Sequence, residues 1–329
     1  MYQPESYIVV LCLMLLSMVC WGSWANTVKF APGYRFQLFY WDYVIGLIFG
    51  AFVWGITLGS IGSAGHPFFA DLLQSDRSHI MMALIGGAVF NVANLLLVAA
   101  IDIAGLAVAF PVGIGIALVV GAVSNYFISP NGNPLLLFGG IALVVAAIVC
   151  DAIAYRERER ERPVTSRRGV IISVISGLLM GSFYPFVAKA MTGSHAPGPY
   201  ATSMFFVIGV ALCCLPVNYL LMRRPLDRRE PVALGAYLRV PVCWHFWGIL
   251  GGGIWCTGAV FNFIASQAHI VGPAVSYSIG QGATMISAAW GVFLWREFAA
   301  ASKKSRTFLI WMFVLFLLGL TSVALAPVI

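Results

Sequence analysis

Gly105-Leu106-Ala107-Val108-Ala109-Phe110-Pro111-Val112-Gly113-Ile114-Gly115 returns, without a gap, as Gly272-Pro273-Ala274-Val275-Ser276-Tyr277-Ser278-Ile279-Gly280-Gln281-Gly282. The shared pattern is G-x-A-V-small-aromatic-x-aliphatic-G-x-G. Weaker matches keep the same order around it. Gly22-Ser23-Trp24 resembles Gly181-Ser182-Phe183, and Tyr43-Val44-Ile45-Gly46 resembles Phe206-Val207-Ile208-Gly209. Phe90-Asn91 resembles Phe261-Asn262 with a small shift. One short match arises by chance; four in one order indicate an internal duplication.

The matched stretches lie in apolar blocks of about twenty residues, the length a helix needs to cross a bilayer. Ten such blocks are readable: 7–28, 39–61, 80–101, 105–128, 134–154, 169–190, 201–222, 246–268, 271–294 and 306–327. The chain of 329 residues is 60% hydrophobic and only 9% charged, against about 25% charged in soluble domains. Its mean hydropathy is +0.91. A β-barrel would show short alternating strands, which the sequence lacks. The fold class read from this pattern is an all-α polytopic membrane protein with ten transmembrane helices in two inverted five-helix repeats. The first repeat is 1–154, the second 169–329, and 155–168 is a basic connector. Five is odd, so the second repeat starts from the opposite side and is inverted, as in secondary transporters.

Basic residues set the orientation. The first loop holds Lys29 and Arg35, and the fifth Arg156, Arg158, Arg160, Arg162, Arg167 and Arg168. The seventh holds Arg223, Arg224, Arg228, Arg229 and Arg239, and the ninth Arg296, Lys303, Lys304 and Arg306. Of 19 basic residues only Arg77 and Lys189 fall in other places. Cytoplasmic loops carry the excess of Lys and Arg, so the odd loops are expected inside and both termini outside, in the inner membrane of the cell. The net charge of +7 thus reads as orientation and contact with membrane lipids, not as nucleic-acid binding. The first block has no basic flank and no small-residue cleavage site, and is expected to be a retained span. The seven cysteines fit no metal spacing and read as packing residues.

Further short features point to a family. Met1-Tyr2, Glu5-Ser6, Gly22-x-Trp24, Tyr40-x-Asp42-Tyr43, Gly86-Gly87, Asn94-Leu95 and Asn125-Tyr126-Phe127 together resemble the ureide permeases of the drug/metabolite transporter superfamily. The resemblance covers essentially the whole membrane part, most clearly residues 1–150. It implies ten helices with outside termini and proton-coupled import of allantoin-like ureides, uracil and oxopurines. Plant members of the family carry a long central loop with a phosphate-loop-like motif. Here the loop is only Tyr155 to Arg168, and no G-x-x-x-x-G-K-[ST] occurs, so neither nucleotide use nor another cofactor is expected. The short loop keeps a sugar, nucleoside or drug porter of the same superfamily as the alternative.

Polar groups at bilayer depth are costly unless they face a cavity or a partner. Asn91 and Asn94 are such groups, three apart on one helix. An amide both donates and accepts, which suits the alternating N–H and C=O edge of a small polar solute such as a ureide. Interhelical hydrogen bonding is the competing role. Asn262, with Ser266 and Gln267, repeats the pattern in the second half, and Gln281 stands where the first copy has Ile114. Tyr277 is its one-turn neighbour. Trp24 and Tyr184 follow the matched Gly-Ser pairs and are candidates to stack on a planar ring, with Trp21, Phe110 and Trp255 behind them; packing and interfacial belts compete for the same residues. The candidate solute site is therefore Trp24, Asn91, Asn94, Tyr184, Asn262, Tyr277 and Gln281.

A carboxylate is the simplest proton carrier within a membrane. Asp42 is the candidate for coupling to H+; an interfacial ion pair with Lys29 or Arg35 is the competing role. Asp102, Asp151 and Glu297 lie at other helix ends, and His195 and His269 are expected at the outer interface. An enzyme would need a nucleophile–base pair or metal cluster in the bilayer, and no H-E-x-x-H, G-x-S-x-G or Cys/His cluster occurs. A channel is disfavoured by the five-plus-five pattern. The sequence is silent on oligomeric state.

Overall fold

The computed structural model is all-helical and describes residues 1–158, 166–226, 229–268 and 270–329, with the backbone alone at 106 and 107. Residues 159–165, which include Arg160 and Arg162 of the connector, lie outside the described residues, as do Arg228 and His269. Helix α1 (Tyr7–Ser23) tightens into a 3-10 segment, Trp24–Phe30. It is followed by α2 (Phe36–Ile56), a short α3 (Phe68–Gln74), α4 (Arg77–Ala104), α5 (Leu106–Ile128) and α6 (Pro134–Arg158). The later chain forms α7 (Arg167–Ala190), α8 (Pro199–Arg223), a 3-10 segment Leu234–Arg239 and α9 (Val242–Gln267). It ends with α10 (Gly272–Gly280), α11 (Ala283–Ala289) running into a π turn at Trp290–Leu294, and α12 (Lys303–Leu325).

Among the described residues nine helices are long and apolar enough to cross a membrane. They lie within a few residues of nine of the expected spans. The stretch expected as the remaining span, 271–294, is broken into α10, α11 and the π turn. The reason is local. Gly280-Gln281-Gly282 combines two poor helix formers with close contacts: Gly280 lies against the Trp21 ring and Gly282 against the Met18 sulfur. Mid-helix residues Phe49, Leu178, Leu212, Trp311 and Leu317 are exposed on the outside of the bundle. Such an apolar surface is what lipid covers, and the chain is a multi-pass membrane protein.

Helices approach where glycine removes the side chain. Gly87 of α4 lies on the Phe206 carbonyl of α8, and Gly252 of α9 lies on the Tyr43 carbonyl of α2. Gly22 of α1 meets the Ala283 carbonyl, and Gly181 of α7 meets the Ala117 carbonyl of α5. Gly140 of α6 and Gly319 of α12 each face the other's carbonyl. Among these contacts a glycine of the earlier helices on a carbonyl of the later ones is matched by one with the roles exchanged. The first glycine of each repeated sequence, Gly105 and Gly272, has a positive φ (81° and 74°), a conformation glycine adopts without strain.

Both termini lie at one end of the bundle. The Met1 ammonium donates to the Ala64 carbonyl at 2.7 Å, and Asn133 N–H donates to the Ala326 carbonyl at 2.7 Å. The opposite end carries the basic loops. There Glu297 accepts from Lys29 at 2.6 Å and Arg158 at 2.9 Å, and Lys304 reaches Glu157 at 2.8 Å.

Candidate functional site

A cavity of about 290 Å³ runs from the middle of the bundle toward the basic end. Seven aromatic rings wall it: Trp21, Trp24, Phe36, Phe90, Phe110, Phe183 and Trp255. Its polar lining comes from Asn94, Gln281, Thr284 and Ser287. Along α4, Phe90, Asn94, Leu97, Val98 and Ile101 recur every three or four residues and give one lining face. Trp24 enters where α1 tightens into the 3-10 segment, and Gln281 where α10 breaks. A broken helix near mid-depth is a common way to present polar groups to a solute.

The aromatic walls hold one another. Trp21 stacks on Trp255 at 5.7 Å, with its indole N–H donating to the Trp255 carbonyl at 3.2 Å. Phe90 packs on Trp255 at 4.3 Å, and Phe206 stacks behind Trp255 at 6.1 Å. Asn94 is oriented by its Nδ2, which donates to the Tyr40 hydroxyl at 3.4 Å. Tyr40 stacks on Tyr43 at 5.2 Å, and Tyr43 packs on Trp24 at 4.8 Å.

Three of the seven candidate solute residues, Trp24, Asn94 and Gln281, thus meet in one cavity. Three others meet elsewhere. The Tyr184 hydroxyl donates to Asn262 Oδ1 at 2.6 Å, and Asn262 Nδ2 donates to the Ser276 carbonyl at 3.0 Å and to Ser17 Oγ at 3.2 Å. Tyr277 donates to the Ala117 carbonyl at 3.0 Å. These side chains are buried between the cavity and the end that carries the termini. Above them, Ser266 and Gln267 line a separate depression of about 420 Å³ with Gln3 and Asn131. The seventh residue, Asn91, is fully buried, and neither atom of its amide has a partner among the described residues. An unsatisfied amide costs about 1–3 kcal/mol.

Asp42 is fully buried at the basic end, and its neighbours differ from the expected Lys29 or Arg35. Tyr34 donates to Oδ2 at 2.6 Å, Tyr237 donates to Oδ1, and His245 Nδ1 lies 2.9 Å from Oδ2 and 3.0 Å from Oδ1. Lys29 instead pairs with Glu297, and Arg35 donates to the Glu230 carbonyl at 3.3 Å. Burial, reinforced by the adjacent carboxylate, pushes the Tyr34 and Tyr237 hydroxyls up from their ordinary range, so both remain protonated donors. Of the other carboxylates, Asp102 pairs with Arg229 at 3.3 Å, and Asp151 is buried with its Oδ1 unpartnered among the described residues. Among the described residues no three His, Cys, Asp or Glu side chains gather as metal ligands.

Sequence reasoning passed over His245, Tyr34 and Tyr237, and over Phe90, Phe183 and Thr284. The α4 face was available as a signal, because Phe90 and Asn94 are four apart. His245 stands one residue before the apolar block 246–268, inside the first turn of α9, where hydropathy has no resolution.

The ureide permease family model matches residues 39–166 and 164–326. Ureide permease 1 of Arabidopsis thaliana is 23% identical over 97% of this chain and 97% of its own. Ureide permease 3 of the same plant is 30% identical over 76% of each. A putative sugar uptake protein of Listeria innocua is 25% identical over 80% of this chain and 85% of its own. A solved crystal structure shares the fold, with a TM-score of 0.62 at 13% identity over 94% of this chain and 95% of that one. The plant relatives are permeases, not enzymes. With the family pattern matched along nearly the whole bundle, the chain belongs to the ureide permease family.

Proposed function

We propose that this chain is a proton-coupled importer of ureides and nucleobases such as allantoin, uracil and oxopurines. The observation that carries the reading is the central cavity, where Asn94 and Gln281 supply amides against walls of Trp and Phe. At about 290 Å³ it lies just below the roughly 300–1,000 Å³ of small-molecule sites. Its chemistry suits a flat solute: rings stack on the faces, and the amides take the N–H and C=O edge. Trp24, Asn94 and Gln281 are the solute contacts of this reading.

The chain works as two inverted halves, 1–154 and 169–329, joined by the connector 155–168. The exchanged glycine contacts support that division: Gly87 on Phe206 answers Gly252 on Tyr43. They also align Phe90 with Trp255 and Asn91 with Cys256, rather than Asn91 with Asn262. The basic end is cytoplasmic by its charge, both termini face outward, and the cavity opens inward. Asp42 is the proton carrier, with His245 as the group that shares its proton.

The Listeria relative supports a second reading, a sugar. A hexose carries hydroxyls around its whole rim, and the four polar side chains of the cavity would leave most of them unpaired. Uptake of labelled allantoin, uracil and glucose into cells with and without the chain tests both. The expected result is saturable uptake of allantoin or uracil that a protonophore abolishes. Glucose uptake alone would overturn the ureide reading, and uptake indifferent to the protonophore would overturn proton coupling.

A further inference from the structure

We infer that the chain holds a second solute site, closed in this structure, formed by Tyr184, Asn262, Ser266 and Tyr277 on the side of the termini. The inference rests on the two-half reading and adds where the solute binds when the transporter faces the other way.

The exchanged contacts fix the alignment of the halves. Gly22 answers Gly181, and Gly87 answers Gly252. Tyr184 follows Gly181 as Ala25 follows Gly22, by three residues. Asn262 follows Gly252 as Leu97 follows Gly87, by ten. Ser266 answers Ile101 by the same step, and Tyr277 answers Phe110 in the ungapped match. Ala25, Leu97, Ile101 and Phe110 all line the open cavity. Of their counterparts, Tyr184, Asn262 and Tyr277 are fully buried and line neither the cavity nor the depression, and Ser266 is buried at the edge of the depression. Tyr184 and Asn262 bond each other at 2.6 Å, and Ser276 Oγ donates back to the Asn262 carbonyl at 2.9 Å. Near the middle, both members of each pair line the cavity: Trp24 with Phe183, Phe90 with Trp255, Ile114 with Gln281.

This is the pattern of a centre shared by two half-paths, one open and one closed. If the halves exchange conformations, Ala25, Leu97 and Phe110 close and Tyr184, Asn262 and Tyr277 open. Ser266 already lines the depression at the end of the termini, one turn from Asn262, so the path to that face is short. The two half-paths differ in chemistry. The closed one offers an amide, two phenols and a hydroxyl, while the open one has alanine, leucine, isoleucine and phenylalanine at the same places. A planar solute with adjoining N–H and C=O groups is held on the side of the termini and released toward the basic end. The Tyr184–Asn262 bond is the seal that the solute replaces.

The test uses the full chain in sealed vesicles of both orientations and a membrane-impermeant maleimide, with modified peptides identified by mass spectrometry. Val28 lines the open cavity, and its counterpart Val187 is fully buried; valine to cysteine is a mild change at each. Val28→Cys is expected to react from the face of the basic loops and Val187→Cys from the face of the termini. Val187→Cys inert from the face of the termini would overturn the proposal. In the same vesicles, allantoin, uracil and glucose are each offered, and the one taken up is expected to slow the Val187→Cys reaction. If none is taken up, the substrate reading fails, and the sided labelling alone decides this proposal. Asn262→Ala is expected to raise the half-saturation for uptake from the side of the termini roughly tenfold, the effect of one lost amide contact. From the basic side it is expected to leave half-saturation unchanged; equal change on both sides would also overturn the proposal.

Discussion

His245 Nδ1 sits within 2.9–3.0 Å of both carboxylate oxygens of Asp42, in a cage that Tyr34 and Tyr237 complete. Asp42 itself is fully buried, whereas the His245 side chain is about one-fifth exposed, at 21%. In the proposed coupling role, His245 is the titratable side chain that links Asp42 to the basic end. Asp42→Asn is close to the protonated carboxyl in size. The variant is expected to exchange labelled solute across the membrane but not to concentrate it under a proton gradient. His245→Gln is expected to behave alike. Accumulation like that of the parent, measured in vesicles with an imposed gradient, would reduce Asp42 to an interfacial anchor.

Gly87 and Gly252 are predicted to tolerate no side chain. A methyl group at either overlaps a main-chain oxygen of α8 or α2, which no rotamer relieves. Overpacking of this kind costs typically 1–3 kcal/mol. Gly87→Val and Gly252→Val are each expected to lower the melting temperature of the purified protein, and by similar amounts if the two contacts are equivalent. Gly253, whose added methyl would meet nothing within 4 Å, is the control and is expected to leave it unchanged.

The basic end also sets a pH dependence. Burial alone would push the Glu297 carboxyl up, but Lys29 and Arg158 outweigh it and hold the group below its ordinary range. A carboxyl lowered in the folded state stabilises above its unfolded value, about 4.3, and that contribution is lost as pH falls through the lower folded value. With Lys29 half-exposed the pairs are worth about 1 kcal/mol at most. Thermal stability is expected to be flat from pH 7 down to about 5 and to fall below about 4. Glu297→Gln is expected to be slightly less stable at pH 7 and to show a shallower fall; an unchanged profile would contradict this.

Topology is open to a simple check. Reporter fusions after Arg224 are expected to read cytoplasmic and fusions after Ile329 external. An internal C-terminus would contradict the orientation drawn from Lys and Arg.

The helices were legible because a bilayer imposes one length and one composition on every span, and the basic loops gather at one end as their spacing indicated. The break at Gly280–Gly282 was not, because hydropathy averages over a window and does not register two glycines held against Trp21 and Met18. Within the site, Asn94 and Gln281 stood out as amides in apolar sequence. Asn91 stood out equally, yet it stands about 60° round the helix from Asn94, and the structure buries it in the packing beside the lining face. Phe90 and Phe183 were hidden among many aromatics, and His245 by its place at a helix start. Contacts between distant helices, such as Tyr184 with Asn262, are invisible to periodicity.

The central claim is that solute binds between Asn94 and Gln281. Saturable uptake of labelled allantoin into proteoliposomes by the parent, Asn94→Leu and Gln281→Leu tests it most directly, with melting temperatures to show that each variant is folded. Each loses one hydrogen-bonding amide, about 1–3 kcal/mol where a buried partner is left unpaired, so half-saturation is expected to rise about five- to hundredfold. Folded variants that take up allantoin with the half-saturation of the parent would contradict the account.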